Sequence, residues 1–273
     1  MIMRRPLLLL VVVLLVPIAA QAQARGGRGQ GAPPVPAWEA QARTDQNSRI
    51  AHEQLLAKRT QGRIDVYFAG DSIVRRWGAT DYPHLLANWR ENFHGWNAAN
   101  FGWGADRTQN VLWRLQNGEL DDVHPKVIVL LAGTNNVGTQ PGDEATAAEI
   151  ARGIEAIVSR MREQAPAATI VVTAILPRND NIAVMPTIDA INARIAKLAD
   201  GRTVRFVNVN DRLADSTGVL VEGVMNADGL HPSLKGYQVW ADALKPIFTE
   251  LLGPPAATDL APPPTGDPSA TAR

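Results

Sequence analysis

Five short apolar runs, with helix-like stretches between them, constrain the fold of this chain more than any other feature. The third run, KVIVLLA at residues 126–132, has no alternating polar face, as expected of a strand that is buried on both sides of a sheet. Strands that alternate with helices predict an α/β fold whose mostly parallel sheet carries helices on both faces. The predicted strands are residues 64–69, 96–101, 126–132, 169–175 and 204–209.

The stretches between the strands carry apolar residues at helical spacing. In the longest of them, Ile150, Ile154 and Ile157 fall on one face, and Pro166 blocks its continuation. The predicted helices are residues 38–61, 81–92, 108–116, 145–164, 188–198 and 233–252.

Both ends of the chain differ in composition from the middle. Residues 1–24 contain two arginines, then an unbroken apolar run and a small-residue ending, which is the pattern of a secretory signal peptide. Residues 25–37 predict a flexible linker, and residues 253–273, rich in Pro and Ala, predict a disordered tail. Residues 38–252 suffice for one α/β domain. We therefore expect a secreted or periplasmic protein with no stable membrane insertion after cleavage of the signal peptide.

Charge and cysteine content exclude several classes of protein. Lys plus Arg and Asp plus Glu number 27 each, so no net field favours nucleic acid or an anionic membrane as a partner. The chain has no cysteine, so its core rather than disulfides must stabilise it. The histidines other than His231 are scattered, and His52-Glu53 lacks the second histidine of a zinc-binding helix. We expect no metal and no cofactor.

Three of the predicted strands end in glycine, at Gly70, Gly102 and Gly133. Because the carboxyl ends of parallel strands meet at one edge of a sheet, we expect the loops that follow to lie together there, where open α/β folds bind ligands. Asp71 and Ser72 follow the first of these glycines. A serine just past a buried strand is placed as a nucleophile would be. Gly-Asp-Ser is equally ordinary turn chemistry, in which Asp or Ser caps the next helix.

Polar residues in the other loops supply what a serine nucleophile needs. His231 follows Asp228 by three residues, a spacing that lets the carboxylate fix the tautomer of a general base. Asn135 follows the third strand and can donate a hydrogen bond to an oxyanion, and the glycines of FGWG at 101–104 let backbone N–H groups approach one. Each loop taken alone is also explained as a turn or a helix cap. Together they favour a serine hydrolase.

Four sequence blocks carry a resemblance to a known family. GDSI at 70–73, NFGWGADRT at 100–108, GTNN at 133–136 and DGLHP at 228–232 match, in order, the four blocks of the SGNH (GDSL) hydrolases. The longer run NFGWGADRTQNVLWRLQNGEL resembles the branch of platelet-activating-factor acetylhydrolase catalytic subunits and their bacterial esterase relatives. The resemblance spans residues 38–252. It implies the SGNH hydrolase fold, a flavodoxin-like three-layer α/β sandwich with a mostly parallel five-stranded sheet.

The resemblance implies a role for each matched residue. Ser72 is expected to be the nucleophile, His231 its general base, and Asp228 the residue that orients His231. The oxyanion hole is expected to combine the backbone N–H of Ser72, a backbone N–H in the turn formed by Gly104 and Ala105, and the side chain of Asn135.

Two positions depart from the pattern of the family. Ala105 stands where close relatives carry glycine, so it is strained if this position needs a positive φ. Asn136 stands where many members carry Asp, but the acetylhydrolase branch resembles this chain in having Asn-Asn.

Several residues near these loops are candidates for substrate contacts. Trp77 and Trp103 lie in predicted loops and can pack against a sugar ring or an acyl group, whereas core packing is expected for Trp89 and Trp113, which fall on predicted helices. Arg178 follows the fourth strand and either binds a polar leaving group or is simply solvated. Asp71 is expected to fix the nucleophile loop and is a further candidate for contacting substrate.

The sequence therefore predicts a secreted serine esterase that hydrolyses short acyl esters, acetyl above all, of a small-molecule or carbohydrate substrate. The acyl group would pass through an acyl-enzyme. One alternative is a lysophospholipase or thioesterase reaction on the same triad. The other is a non-catalytic carbohydrate- or lipid-binding protein with the same fold, against which the complete set of Ser, His, Asp and Asn argues. The sequence does not give the oligomeric state.

Overall fold

The predicted strands form one sheet in a computed structural model, which describes residues 34–272. Every pair of neighbouring strands is parallel, and the strand order is β2-β1-β3-β4-β5. This is the order of flavodoxin-like sheets, so the predicted fold is confirmed, with an all-parallel sheet where a mostly parallel one was expected. The strands are β1 (Val66–Gly70), β2 (Ala98–Gly102), β3 (Val127–Leu131), β4 (Thr169–Thr173) and β5 (Val204–Val207).

All six predicted helices are present. The first begins at Gln46 rather than at residue 38, because the Asp45 side chain caps it by accepting from the N–H of Ser48. Three short helices, which start at Ser72, Thr134 and Asn210, were not predicted. The helices are α1 (Gln46–Lys58), α2 (Ser72–Gly78), α3 (Pro83–Phe93), α4 (Thr108–Arg114), α5 (Thr134–Val137), α6 (Glu144–Gln164), α7 (Met185–Ile195), α8 (Asn210–Leu213) and α9 (Leu234–Leu252). Within the described part of the chain, no helix combines the length and apolarity that a membrane crossing requires.

Alternate residues of the strands face two separate cores. On β1, Tyr67 and Ala69 face a core shared with α4, α6 and α7, whereas Val66 and Phe68 face a core shared with α2, α3 and α9. Aromatic rings surround Phe68, and one of them is Trp77, which is fully buried with its centroid 6.2 Å away. Trp77 is therefore a core residue of α2, and its predicted place in a substrate-facing loop is wrong.

The C-terminal segment has defined contacts where its composition predicted disorder. The backbone N–H of Ala256 donates to the carbonyl of Gly95 at 3.0 Å, and the carbonyl of Leu260 accepts from the N–H of Arg63 at 2.8 Å. Farther along, the carbonyl of Thr265 accepts from the N–H of Thr80 at 3.1 Å. A proline-rich chain loses little conformational entropy on ordering, so a few main-chain hydrogen bonds to the domain suffice to fix it.

The N-terminal predictions are covered only in part by the described residues. The signal peptide at 1–24 and most of the linker at 25–37 lie outside them. The last linker residues are packed instead of flexible. The carbonyl of Ala37 accepts from Thr108 Oγ1 at 2.7 Å, and the carbonyl of Val35 accepts from Gln109 Nε2 at 2.9 Å.

Candidate active site

The loops after β1, β2 and β3 meet at one edge of the sheet. Gly70 at the end of β1 is in register with Gly102 on β2 and with Leu131 on β3, so the three strands stop at the same level. A side chain at position 70 would not fit, because its Cβ would lie 2.0 Å from the carbonyl oxygen of Leu131 and 2.6 Å from a methyl group of Val74. The glycine is what allows the chain to turn here into α2.

Asp71 and Ser72 open helix α2. One carboxylate oxygen of Asp71 accepts from the N–H of Ile73 at 2.9 Å, which makes Asp71 the cap of the helix. Asp71 is fully buried, and its other oxygen has no partner among the described residues. Burial and, secondarily, the charge of Asp106 raise the pKa of Asp71 to about 7. Asp71 therefore fixes the nucleophile loop as expected, and the prediction that it contacts substrate is wrong.

Ser72, His231 and Asp228 form a continuous chain of hydrogen bonds. Ser72 Oγ lies 2.8 Å from His231 Nε2, and His231 Nδ1 lies 2.8 Å from Asp228 Oδ2. The loop itself holds the carboxylate, since the backbone N–H groups of His231 and Leu230 both donate to Asp228 Oδ1. With the ring proton on Nδ1, where Asp228 accepts it, Nε2 is free to accept the proton of Ser72. Gly229, at a φ of 64°, makes this turn possible.

The protonation states of Asp228 and His231 suit proton transfer from serine. Burial acts to raise the pKa of Asp228, but the hydrogen bonds from His231 and Leu230 outweigh it and hold that pKa at about 2. The pKa of His231 is lowered below its ordinary value of 6.5, first by burial and then by the positive charge of Arg76. At neutral pH the arrangement thus combines an ionised carboxylate with a neutral imidazole, which is the state of a general base.

Three groups can donate hydrogen bonds to an oxyanion: one belongs to Ser72 itself and two lie in the neighbouring loops. The N–H of Ser72 belongs to the first turn of α2, where N–H groups have no acceptor within the helix. Gly104 and Ala105 form the turn after β2, and Ala105 has a φ of 60°. The position thus does require the left-handed conformation that makes alanine strained. The amide of Asn135 is oriented by a 2.8 Å hydrogen bond to the carbonyl of Asp106.

Neither Trp103 nor Arg178 is free to contact substrate in the way the sequence predicted. Trp103 is buried, and its Nε1 donates to Ser48 Oγ at 2.8 Å. Arg178 is also buried rather than solvated. It pairs with Asp180 and donates to Thr134 Oγ1 at 3.0 Å, so it joins the loop after β4 to the one after β3. Both side chains stabilise the loops, which corrects their assignment as substrate contacts.

The structure adds charged residues that sequence reasoning missed. Arg76 lies one helical turn after Ser72 on α2 and contacts Asp228 Oδ2 at 3.3 Å. Its spacing from Ser72 would have pointed to it if α2 had been predicted. A second group, here called the arginine cluster, is linked by ion pairs and contacts the turn at Gly104 and Ala105, here called the oxyanion turn after its predicted role. It consists of Arg43, Asp106, Arg114 and Glu119. Within residues 34–272, no three His, Asp or Glu side chains come together as metal ligands.

Comparisons with known proteins find relatives of this chain in both sequence and fold. The model of the GDSL-like lipase/acylhydrolase family matches residues 68–239. Platelet-activating factor acetylhydrolase IB subunit alpha1 from Bos taurus is 35% identical over 206 residues, which cover 74% of this chain and 82% of the relative. Among solved structures, a protein from Streptococcus pneumonia described as a platelet activating factor superposes with a TM-score of 0.60 at 25% identity, covering 73% of this chain and 91% of that one. A protein from Bacteroides fragilis described as an acylhydrolase superposes with a TM-score of 0.58 at 20% identity over 76% of this chain and 99% of that one.

Proposed function

This chain belongs to the GDSL-like lipase/acylhydrolase family and is a carboxylic ester hydrolase, and we propose that it releases short acyl groups, acetyl above all, with Ser72 as its nucleophile. One observation carries the assignment of the nucleophile. Ser72 Oγ lies 2.8 Å from the ring nitrogen of a histidine whose other nitrogen is held by a carboxylate. The geometry of a serine, a base and an orienting acid is what acyl transfer through serine requires.

In the proposed reaction, Ser72 Oγ attacks the ester carbonyl while His231 Nε2 takes the hydroxyl proton. Asp228 stays ionised and stabilises the imidazolium that forms. Collapse of the tetrahedral intermediate breaks the C–O bond to the alcohol, which leaves with the proton from His231. A water molecule then attacks the acyl-enzyme and gives up a proton to His231. The bond between the acyl carbon and Ser72 Oγ breaks, His231 returns the proton to Oγ, and the acid departs.

We propose that three groups donate hydrogen bonds to the negative oxygen of the intermediate. They are the N–H of Ser72, an N–H of the turn at Gly104 and Ala105, and the side-chain amide of Asn135. Ala105 is exposed, so the turn is accessible to a ligand. Asn135 donates one amide proton to Asp106, and its second amide proton is available for the oxyanion. Loss of one such donor typically costs about 2.7–4 kcal/mol in the barrier.

The preference for acetyl rests on similarity to relatives named as acetylhydrolases. The test is a series of p-nitrophenyl esters from acetate to laurate, together with acetylated sugars, measured with wild type and with Ser72→Ala. We expect acetate to be the best aryl ester. A preference for long chains would contradict the acetyl proposal and favour the lysophospholipase alternative, and turnover of acetylated sugars would identify a carbohydrate deacetylase.

Ser72→Ala is expected to lower kcat by at least about 10⁴-fold, because the covalent route is lost. The matched control is Ser159→Ala, which removes an exposed hydroxyl from α6 and is expected to leave the rate unchanged. A folded Ser72→Ala protein with wild-type activity would rule out the mechanism.

We also propose that the enzyme acts outside the cytoplasm, a proposal supported by the pattern of residues 1–24. Mass spectrometry of the protein expressed from the whole chain is expected to find cleavage after Ala22 or Ala24. Recovery of only the uncleaved chain in the cytoplasm would contradict export.

A further inference from the structure

The arginine cluster contacts the loops that carry the proposed oxyanion donors, yet none of its members takes part in the proposed reaction. Asp106 and Glu119 are fully buried, and Arg114 is nearly so. Replacing buried ion pairs with apolar residues of similar size often costs no stability. The presence of such a cluster beside the proposed site therefore calls for an explanation other than stability.

Arg114 joins the nucleophile loop to the oxyanion turn. Its guanidinium donates to the carbonyl of Gly70, two residues before Ser72, at 3.2 Å, and to the carbonyl of Phe101 at 2.8 Å. Its Nε donates to Asp106 Oδ2 at 2.7 Å, and it also pairs with Glu119. Because a guanidinium is planar and presents its donors in a fixed fork, these acceptors are held at set distances from one another.

Asp106 holds the other two proposed donors, the turn at Gly104 and Ala105 and the side chain of Asn135. It directly follows Ala105, whose left-handed conformation needs to be held in place. Its backbone carbonyl accepts from Asn135 Nδ2 at 2.8 Å. Arg43 holds the turn from its other side, since it donates to the carbonyl of Gly104 at 3.0 Å and reaches Asp106 Oδ1 at 3.4 Å. The turn at Gly104 and Ala105 directly precedes Asp106, and Asn135 is one hydrogen bond from it. The third donor, Ser72, is two residues from Gly70, whose carbonyl accepts from Arg114.

We propose that Asp106 and Arg114 are positioning residues, which set the distances among the three oxyanion donors and so act on the transition state. This inference rests on the proposed function. An oxyanion exists only after the nucleophile has attacked, so a misplaced donor weakens binding of the transition state and not of the ester. The expected signature is a lower kcat with little change in KM.

The test compares Asp106→Asn with Glu119→Gln. Both variants keep the shape of the side chain and remove one negative charge that pairs with Arg114. At position 106 the amide nitrogen would face Arg43 or Arg114, both of which need an acceptor there, so one of these hydrogen bonds is lost and the oxyanion turn is held less firmly. Glu119 pairs with Arg114 and His52, neither of which is a proposed oxyanion donor, so its substitution is the matched control.

We expect kcat for p-nitrophenyl acetate to fall by about 10- to 100-fold in Asp106→Asn, with KM within about twofold of wild type. In Glu119→Gln we expect kcat within about threefold, although both variants lower the melting temperature. Equal losses of kcat in the two variants would show that the cluster is only structural and would overturn the proposal. So would a raised KM with an unchanged kcat.

Two further measurements keep the result interpretable. If Asp106→Asn does not fold, Arg43→Gln removes the partly exposed clamp on Gly104, and an unchanged kcat in that variant would overturn the proposal. Ser72→Ala separates this inference from the proposed function. If Ser72→Ala retains activity, the proposed function fails, whereas an inactive Ser72→Ala with equal Asp106→Asn and Glu119→Gln activities means that only the positioning role fails.

Discussion

The triad and the arginine cluster each hold an aspartate through hydrogen bonds, Asp228 in the first and Asp106 in the second, but the two carboxylates have opposite properties. The side chain of Asp228 is 42% exposed, and its pKa is lowered to about 2. Asp106 is fully buried, and its pKa is raised to about 6 although two arginines contact it. Burial is the first cause at Asp106, and the like charge of Glu119 adds to it, whereas backbone N–H groups stabilise the charge of Asp228.

The difference fits the roles proposed for the two residues. In the proposed reaction Asp228 stays charged while His231 gains and loses a proton, and N–H groups of its own loop stabilise that charge while the side chain remains partly exposed to solvent. Asp106 never exchanges a proton in the proposed reaction, so the energetic cost of its burial is tolerated in return for fixed contacts.

The strongest way to break this comparison is Asp228→Asn. The amide cannot accept the Nδ1 proton and keep His231 in the productive tautomer, so we expect kcat to fall by about 10³- to 10⁴-fold. Asp106→Asn, the corresponding change in the arginine cluster, is expected to cost far less. Steady-state kinetics on p-nitrophenyl acetate measures both, and equal losses would show that the two carboxylates do not differ in role.

The residues of the triad could be predicted from the sequence and those of the arginine cluster could not, for a physical reason. Asp228 and His231 are three residues apart in one turn, and Ser72 directly follows a recognisable strand, so local spacing points to their roles. Arg43 and Arg114 are separated by all of α1, two strands, two further helices and the rest of α4. Their contacts depend on how the chain packs in three dimensions, and each residue alone is typical of a solvated surface.

The same limit explains the other differences between sequence and structure. Helix α2 is only Ser72–Gly78, too short for a periodic pattern, and its stability comes from the Asp71 cap and from packing of Trp77. Residues 253–272 carry no pattern of their own, because the partners of their backbone are loops elsewhere in the chain. Strands β3 and β4 were predicted within a few residues because burial on both faces leaves a continuous apolar run.

A smaller effect, confined to the triad, is expected from Arg76→Gln. The charged groups that face His231 are Asp228, which raises the pKa of His231, and Arg76 and Arg178, which lower it. Because the base must be neutral, wild-type activity is expected to persist below pH 6.5 and to fall as His231 becomes protonated. Removal of the Arg76 charge raises that pKa, so the acidic limb of kcat/KM moves to higher pH.

Arg76→Lys is the control, because it keeps the charge and is expected to leave the acidic limb in place. The pKa of Asp228, at about 2, is too low for that carboxylate to contribute to the limb. A pH profile of kcat/KM from pH 4 to 8 measures the shift. An acidic limb in Arg76→Gln that coincides with that of wild type would show that Arg76 does not influence the base.

The smallest effect is expected at Ala105, which lies in the proposed oxyanion turn and directly precedes Asp106 of the arginine cluster. Ala105 has a φ of 60°, which costs an L-residue about 1–2 kcal/mol, while glycine pays about 0.5–1 kcal/mol in chain entropy. Ala105→Gly should therefore raise the free energy of unfolding by about 1 kcal/mol or less and leave kcat within about twofold, as measured by urea unfolding and steady-state kinetics. Gly104→Ala is the control, because its φ is not positive and its added methyl group meets no atom within 4 Å. A large loss of kcat in Ala105→Gly alone would mean that the stiffness of alanine, and not only the arginine cluster, holds the oxyanion turn.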